Sequence, residues 1–189
     1  MSFVTEYLRH PRTIGAVAPS VKALAEKIME PIDFETAGVI VEYGPGTGSF
    51  TKELLARRRP ETTLLLIERN ERFYEELTER YGDRENLRIL HGGAKDVNRY
   101  LAECRFDHAD YIVSGLPFTS LPAETSNEIL RATQQAIGAE GRFITFQYSL
   151  VKKRYFERFF RIVGSLRETK NLPPAHVLVM RNYLRAPKG

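Results

Sequence analysis

The amino-acid sequence predicts an α/β fold with a mostly parallel sheet, and three observations support this prediction. Short apolar runs rich in β-branched residues alternate with amphipathic stretches along most of the chain, which is typical of parallel strands covered by helices. One apolar run passes directly into the glycine-rich segment 44–48 and then into a predicted helix. The length of 189 residues is sufficient for one well-packed core. We therefore expect a single Rossmann-like domain.

The individual segments predict the order of the elements. We assign strands to the short β-branched runs, which are 38–43, 63–67, 87–91, 109–114 and 142–146. We assign helices to the amphipathic stretches, which are 49–59, 71–81, 95–104, 123–137 and 151–160. Two further strands, 161–169 and 177–185, flank Asn171-Leu172-Pro173-Pro174, and this pattern predicts an antiparallel hairpin. The result is a seven-stranded sheet with one antiparallel strand and helices on both faces.

The composition is that of a globular protein and excludes several classes. The formal net charge of +4 is compatible with contacts to anionic lipid headgroups or phosphates but does not require them. The single cysteine, Cys104, excludes an internal disulfide and a cysteine-based metal cluster and is compatible with a reduced cytoplasm. The four histidines show no metal-ligand spacing, so we predict no metal. No window approaches the roughly 20 apolar residues of a membrane-spanning helix, and we find no signal peptide.

Residues 1–33 form an extension before the main predicted domain, 34–189. We predict two helices in the extension, separated by Pro11 and by a loop at 15–19. The apolar side chains of its first helix share one face, and basic residues follow them; the apolar set is Phe3, Val4, Tyr7 and Leu8, and the basic set is Arg9, His10 and Arg12. Such a face packs against another surface.

The glycine-rich segment after the first strand predicts the ligand. Gly44, Gly46 and Gly48 let the backbone approach a ligand closely, and the following helix presents free N–H groups. The dinucleotide-binding fingerprint requires a further glycine where this chain has Ser49. Glu42, two residues before the first glycine, would repel a pyrophosphate but attract the ammonium and sulfonium groups of S-adenosylmethionine (SAM). The pattern therefore favours SAM as the cofactor over a tight turn in some other doubly wound protein.

The ends of the second and third strands provide further candidate contacts to the cofactor. Glu68 ends the second strand about 20 residues beyond the glycines, where one carboxylate can accept both hydroxyl groups of a ribose. Arg69 follows Glu68 directly and is a further candidate contact. The alternative for Glu68 is a solvated loop position. After the third strand, Gly93 and Ala94 are small enough for adenine to lie against the backbone, and Asp96 is a candidate helix cap.

The end of the fourth strand predicts the site of the methyl acceptor. Ligands bind at the carboxyl edge of open α/β sheets. In amino methyltransferases this position typically carries a short polar residue, a spacer, a proline and an aromatic residue that orient a neutral nitrogen. The alternative is a strand that ends at a proline, with Phe118 in the core. The segment is Ser114-Gly115-Leu116-Pro117-Phe118.

These motifs resemble two related families. The glycine-rich segment and Leu116-Pro117-Phe118 resemble the rRNA adenine dimethylase superfamily of class I SAM-dependent methyltransferases. Three longer segments are more similar to the bacterial phospholipid N-methyltransferases, and together with the glycine motif they extend the resemblance over nearly the whole chain. They are Arg9-His10-Pro11-Arg12-Thr13-Ile14-Gly15-Ala16-Val17-Ala18-Pro19-Ser20, Ser114-Gly115-Leu116-Pro117-Phe118-Thr119-Ser120-Leu121-Pro122 and Asn171-Leu172-Pro173-Pro174-Ala175-His176-Val177.

The second resemblance implies a substrate and a location. The substrate would be phosphatidylethanolamine, whose amine would be methylated toward phosphatidylcholine by a cytoplasmic protein at the inner face of the membrane. The N-terminal helix would contact the anionic membrane surface and cover the cofactor, with Val17 and Ser20 near the methionine moiety. A helix this short and without tryptophan would bind membranes weakly and reversibly. Packing of this helix on the domain itself is the alternative.

Methyl transfer to an amine requires the neutral form of the nitrogen. We expect most of the catalysis to come from positioning and exclusion of water, without a metal. Ser114 and the carbonyl group of Leu116 are candidate acceptors for the amine hydrogens, and Tyr148 is a candidate orienting hydroxyl with a cation–π face. His176 is a weaker candidate proton acceptor, and the alternative is a structural histidine. The basic run 152–154 is a candidate contact for lipid phosphate, and the alternative is the solvated start of a helix.

Three alternatives to a lipid methyltransferase follow from the same residues. An rRNA adenine N6-methyltransferase is disfavoured by the low charge and by Ser114-Gly115, where those enzymes have asparagine and a bulky apolar residue. The chain also ends soon after the seventh predicted strand, without a helical domain for RNA. A noncatalytic SAM-binding protein would keep Glu42 and Glu68, and a small amine could replace the lipid as acceptor.

Overall fold

The computed structural model describes residues 17–149, 151, 153–169 and 174–183 of the chain. The helices of this part are α1 (Val17–Met29), α2 (Ser49–Arg57), α3 (Glu71–Tyr81), α4 (Val97–Glu103), α5 (Ala123–Ala136) and α6 (Lys153–Phe156). A single 3-10 turn, Ala94–Asp96, precedes α4. The strands are β1 (Val39–Tyr43), β2 (Thr63–Glu68), β3 (Leu87–His91), β4 (Ala109–Ser114), β5 (Ile137–Gln147), β6 (Arg161–Glu168) and β7 (Ala175–Arg181).

The described strands form one seven-stranded sheet in the order β3-β2-β1-β4-β5-β7-β6. The first five pair in parallel, whereas β7 lies between β5 and β6 and is antiparallel to both. This order confirms the predicted Rossmann-like fold with one antiparallel strand. The chain runs outward from β1 to β3 and then returns to β4 on the other side of β1. Ligands of open α/β sheets bind at the carboxyl edge beside such a reversal.

Helices cover both faces of the sheet, which explains why the central strands are continuously apolar. All five residues of β1 are buried, and alternate side chains enter two separate core clusters. The cluster on one face includes residues of α1, α2 and α3. The cluster on the other face includes residues of α4, α5 and α6, among them an aromatic group built around Phe118 and Phe143.

The start of the described chain differs from the predicted loop at 15–19. Helix α1 already begins at Val17, so the part of this loop that lies within the described residues is helical. A proline is tolerated in the first helical turn because its missing N–H has no intrahelical partner there. Leu24 and Ile28 of α1 are buried in the core beside α2. The first predicted helix of the extension lies outside the described residues.

Strand β5 begins five residues earlier than predicted. Ile137 pairs with Ala109, and the register then shifts so that Arg142 pairs with Tyr111. The residues between the two pairs bulge out of the ladder in a tight turn, since a Cβ on Gly141 would lie 2.9 Å from the backbone nitrogen of Gly138. A bulge of this kind depends on the neighbouring strand, so the sequence pattern of β5 alone did not reveal it.

The helix predicted at 151–160 is shorter in the structure. Helix α6 ends at Phe156, and the next turn is tightened because the Phe159 N–H donates to the Phe156 carbonyl group at 2.9 Å. The buried side chains of Phe156, Phe159 and Phe160 still follow helical spacing. The predicted hairpin between β6 and β7 is confirmed by their antiparallel pairing, although residues 170–173 of its turn lie outside the described part.

Candidate functional site

The glycine-rich segment forms a loop between β1 and α2 whose backbone requires glycine. Gly44, Gly46 and Gly48 have φ values of 60°, 55° and 83°, a region that other residues rarely adopt. The Gly44 N–H donates to the carbonyl group of Ile67 at 3.0 Å, which ties the loop to β2. A Cβ on Gly46 would meet nothing within 4 Å, so the loop borders open space at this residue. The three predicted glycines therefore shape a cradle at the carboxyl edge of the sheet.

Glu42, at the end of β1, is a buried acid with an unsatisfied oxygen. Its side chain has 0% exposure, and its Oε2 accepts a hydrogen bond from the Thr51 hydroxyl at 2.7 Å. Its Oε1 has no hydrogen-bond partner among the described residues. Burial, together with the nearby carboxylate of Glu68, raises the pKa of Glu42 to about 8, and the bond from Thr51 opposes this rise. A cation next to Oε1 would compensate the buried charge.

Glu68, at the end of β2, links the glycine loop to the start of α3. Its Oε2 accepts from the N–H of Gly46 at 3.0 Å, and its Oε1 accepts from the N–H of Asn70 at 2.8 Å. The side chain is only 6% exposed. Each carboxylate oxygen has a second lone pair, so both can still accept a ligand hydroxyl group. Arg69, the next residue, is exposed.

The segment after β3 lies beside Glu68, as the predicted adenine contact requires. The N–H of Gly92 donates to the backbone carbonyl of Glu68 at 2.9 Å. Gly93 is partly exposed and Ala94 is buried, and both lie at the start of the 3-10 turn. Asp96 occupies the N-cap position of α4, but its side chain makes no capping hydrogen bond within the described residues. The alternative interpretation of Asp96 as a helix cap is therefore wrong as far as its side chain is concerned.

The predicted acceptor segment after β4 packs directly against the glycine loop. The N–H of Gly115 donates to the carbonyl group of Tyr43 at 2.9 Å, and a Cβ on Gly115 would lie only 2.8 Å from the Gly44 oxygen. A Cβ on Gly44 would in turn lie 2.8 Å from the Leu116 side chain. Ser114 is fully buried, and its hydroxyl oxygen accepts from the N–H of Leu116 at 3.2 Å.

The aromatic residue of this segment does not form an open wall for the acceptor. Phe118 is fully buried and packs edge-on against Phe143 and Phe156, with ring centroids 6.2 Å and 5.3 Å apart. The expectation that this aromatic faces the amine is therefore wrong, and the alternative of a core residue holds. The reason is that α6 supplies a hydrophobic partner from a distant part of the chain.

The two remaining candidate catalytic residues lie at the same edge of the sheet but on different strands. Tyr148 directly follows β5 and packs edge-on against Phe146, with ring centroids 5.5 Å apart. His176 lies in β7, where it pairs with Gln147 and is partly buried. Tyr148 belongs to the face of the sheet that α2 covers, because it packs against the same cluster as Phe50.

Two candidate cofactor contacts lie in helix α1. Val17 and Ser20 both fall within its first turns, and their side chains lie outside the described part of the structure. Their predicted position near the methionine moiety stays a prediction.

Three residues that were not predicted from the sequence support the site. Thr51 donates to Glu42, and the backbone of Asn70 donates to Glu68 while its side chain caps α3. Arg80 of α3 donates to the carbonyl group of Thr47 at 3.1 Å and so holds the glycine loop from outside. Asn70 had a recognisable signal, an N-cap residue directly before an amphipathic stretch. The other two had none, because their contacts depend on how α2 and α3 pack on the sheet.

The fold and the loop together define the class of protein. The glycine cradle, the unsatisfied buried oxygen of Glu42 and the acceptor groups of Glu68 fit a nucleoside with a positive charge near its far end. A pyrophosphate does not fit beside two acids. The site fits SAM, and the chain is a SAM-dependent methyltransferase.

Comparison with known proteins gives the family. Residues 21–163 match the family described as ribosomal RNA adenine dimethylase, and the chain belongs to this family. The chain is also 34% identical over 175 residues to an ornithine lipid N-methyltransferase of Singulisphaera acidiphila. The aligned residues cover 92% of this chain and 91% of that protein.

Solved structures of low identity share the fold. TrmN from Thermus thermophilus matches with a TM-score of 0.69 at 14% identity, over 89% of this chain and 51% of that one, so the chain spans about half its length. The N-methyltransferase NodS from Bradyrhizobium japonicum matches with a TM-score of 0.64 at 10% identity, over 89% of this chain and 97% of that one. Within the described ranges, no helix has both the length and the apolarity to cross a bilayer.

Proposed function

We propose that this enzyme transfers the methyl group of SAM to the primary amine of a membrane aminolipid. The observation that carries the proposal is the contact between the acceptor segment and the glycine loop, where the Gly115 N–H reaches the Tyr43 carbonyl group at 2.9 Å. An amine held at Leu116 therefore lies next to the cradle for the cofactor. Support for a lipid comes from the 34% identity, across 92% of the chain, to a protein named ornithine lipid N-methyltransferase.

Two lipid acceptors fit this chemistry. The resemblance of the N-terminal and 171–177 segments to phospholipid N-methyltransferases supports phosphatidylethanolamine. The name of the 34% identical relative supports ornithine lipid. Both lipids present a primary amine at the surface of a bilayer, so both demand the same acceptor groups.

SAM supplies a methyl group already activated by a positively charged sulfur, so the task of the protein is to position the amine and exclude water. The Leu116 carbonyl group accepts from the Phe118 N–H at 3.0 Å and keeps a second lone pair for an amine hydrogen. The Ser114 hydroxyl oxygen accepts from the Leu116 N–H at 3.2 Å, which shapes this loop, and it likewise keeps a second lone pair for an amine hydrogen. Tyr148 and His176 are the proposed groups that orient the amine and accept its proton.

The cofactor contacts are part of the proposal. Glu42 would face the positive end of SAM through its unsatisfied oxygen, and Glu68 would accept the ribose hydroxyl groups. Arg69, Gly93 and Ala94 would lie along the adenosine. Val17 and Ser20 would lie near the methionine moiety.

One assay tests the proposed function. The purified protein is incubated with methyl-labelled SAM and, in separate reactions, with vesicles that contain phosphatidylethanolamine, vesicles that contain ornithine lipid, or unmodified ribosomal subunits. We expect label in one or both lipids and none in RNA, and loss of lipid labelling in the Glu42→Ala and Glu68→Ala variants. Label in ribosomal RNA would overturn the proposal in favour of an rRNA methyltransferase. Binding of SAM without label in any acceptor would favour a noncatalytic protein.

A further inference from the structure

Three large apolar side chains are exposed among the described residues, and they differ in location. Val151 is 85% exposed, Tyr183 52% and Val163 45%. Val163 lies near the start of β6 and Tyr183 follows the end of β7, and both positions are at the amino edge of the parallel strands. Val151 follows the end of β5, at the carboxyl edge that carries the glycine loop. Within the described part, the most exposed apolar side chain thus lies at the edge of the proposed active site.

The segment that carries Val151 is anchored beside the proposed acceptor segment. The hydroxyl group of Tyr155 donates to the Asn127 side chain at 2.8 Å, which fixes α6 to the first turns of α5. The Phe156 ring packs edge-on against Phe118, with centroids 5.3 Å apart. We call Ser149, Val151, Lys153 and Arg154 the β5–α6 lip.

The exposed valine of the lip lies outside the aromatic core that follows it in the sequence. Phe156, Phe159 and Phe160 lie directly after it and are already in the aromatic core. The Val151 N–H donates to the Ser149 hydroxyl at 3.3 Å, which holds the turn before α6. A single exposed apolar side chain is common on protein surfaces, so the meaning of Val151 depends on the charged groups near it.

Basic side chains follow the exposed valine along the chain. Arg154 is exposed and Lys153 is half-buried, and neither forms an ion pair with another described residue. Arg158 is exposed beside the Tyr155 ring, and Glu157 is the acid within 153–158. One apolar side chain next to unpaired cations fits the boundary between lipid headgroups and acyl chains, where apolar burial and attraction to anionic lipids act together.

A protein partner fits this surface less well than a bilayer. A stable protein interface buries about 800 Å² on each side around an apolar centre. The lip offers a single exposed apolar side chain within the described residues, and its other exposed groups are polar or charged. A bilayer requires no larger complementary patch, since insertion of one side chain and contact with several phosphates both add to the affinity.

We propose that the β5–α6 lip docks the enzyme on an anionic bilayer, with Val151 inserted at the headgroup–acyl boundary and Lys153 and Arg154 on lipid phosphates. This contact brings the acceptor segment 114–118 to the membrane surface, where a lipid amine can reach it. The inference rests on the proposed lipid substrate. It assigns membrane contact to the folded domain, in addition to the contact predicted for the N-terminal helix.

Co-sedimentation of the full chain with vesicles tests the lip. For vesicles rich in phosphatidylglycerol, Val151→Asp should lower the partition coefficient about tenfold. The double variant Lys153→Gln/Arg154→Gln should lower it about 25-fold at low salt, at about fivefold for each cation. The double variant should bind neutral phosphatidylcholine vesicles like the wild type, because its loss is electrostatic.

Matched variants at the opposite edge provide the controls. Val163→Asp adds the same charge at an exposed valine of β6, and Arg84→Gln/Arg161→Gln removes the same charge from exposed positions. Both should sediment with vesicles like the wild type. Wild-type sedimentation of the lip variants, or equal losses in the control variants, would overturn the proposal. If Val151→Asp abolishes concentration-dependent self-association and leaves vesicle binding unchanged, the lip contacts a second copy of the chain and not a bilayer.

Methylation of lipid in detergent micelles separates this proposal from the proposed function. Val151→Asp should methylate micellar lipid at the wild-type rate while it loses activity on vesicles. If the wild type methylates no lipid in either form, the proposed function fails whatever the sedimentation shows. If the wild type methylates lipid and the lip variants are equally active on vesicles, only the docking proposal fails.

Discussion

The cofactor half and the acceptor half of the site are built in different ways. Around the glycine loop, short polar contacts join neighbouring strand ends, such as the bond from Gly46 to Glu68 and the bond from Thr51 to Glu42. Around the acceptor segment, the polar groups mostly bond within their own loop, as Ser114 does with Leu116, and a buried aromatic cluster supports them from behind.

This difference separates what each half can recognise. The cofactor half offers two acids at fixed positions and therefore suits one small ligand with defined charges. The acceptor half offers backbone groups and a lip at the surface, which suit an amine presented by a larger assembly. Substitutions in each half, and at the contact between the halves, test this difference.

The largest effect should follow from Glu68→Ala. The variant removes an acceptor for two backbone N–H groups and the proposed acceptor for the ribose, so the glycine loop loses both its support and its ligand contact. We expect the affinity for SAM to fall at least about hundredfold in calorimetry, because hydrogen bonds to a charged group are the strong ones. Glu79→Ala, an exposed acid of α3, should bind like the wild type. Similar affinities for the two variants would show that Glu68 does not hold the cofactor.

Gly115→Ala should damage the contact between the two halves. Its Cβ would lie 2.8 Å from the Gly44 oxygen, so the two loops must move apart. We expect kcat/KM to fall about tenfold or more, since a small misplacement of reacting groups has a large effect on rate. Gly164→Ala in β6, whose Cβ would have ordinary contacts at 3.4 Å, should retain wild-type kinetics. Unchanged kinetics in Gly115→Ala would indicate that the halves work independently.

Tyr148→Phe should affect the acceptor half alone. Loss of one orienting hydroxyl group should lower kcat for lipid about tenfold, the value of one hydrogen bond, and leave the Kd of SAM unchanged. The comparison variant is Tyr183→Phe, at an exposed tyrosine of the opposite edge, and it should retain wild-type kcat. A weaker Kd for SAM with normal kcat would move Tyr148 to the cofactor half.

The remaining prediction concerns stability and pH, not binding or rate. The folded chain holds the proton of Glu42 up to a pKa of about 8, whereas the unfolded chain releases it near the ordinary value of 4.5. The folded state binds more protons between these values, so stability should fall as the pH rises from 4.5 through 8. The decline in Tm over this range should be smaller in Glu42→Gln than in the wild type. Parallel Tm profiles would contradict the raised pKa.

Local signals explain the parts of the fold that the sequence predicts well. The amphipathic pattern predicts helix α3 at its observed bounds, and two local signals mark the same bounds: Asn70 supplies an N-cap and Gly82 follows the last turn. The central strands are recognisable because both of their faces are buried and their sequences are continuously apolar. The glycine loop was found because its positive φ values require glycine.

The remaining features depend on tertiary contacts. The bulge at the start of β5 exists because Ile137 pairs with Ala109, and no local pattern marks it. Phe118 faces the core because α6 supplies Phe156. The raised pKa of Glu42 depends on burial beneath α2, where Thr51 contacts it, so the sequence reveals the acid but not its charge.

Calorimetric titration of SAM and S-adenosylhomocysteine into the wild type and Glu42→Gln tests the central claim, that a buried acid holds the positive end of the cofactor. The measurement belongs at a pH above about 8, where Glu42 is ionised in the free protein. We predict that Glu42→Gln binds SAM about thirtyfold more weakly than the wild type, as expected for a charge-assisted contact. S-adenosylhomocysteine lacks the sulfonium but keeps the ammonium, so an equal loss for it would place the ammonium at Glu42, and a much smaller loss would place the sulfonium there. Equal affinities of the two proteins for SAM would contradict the account.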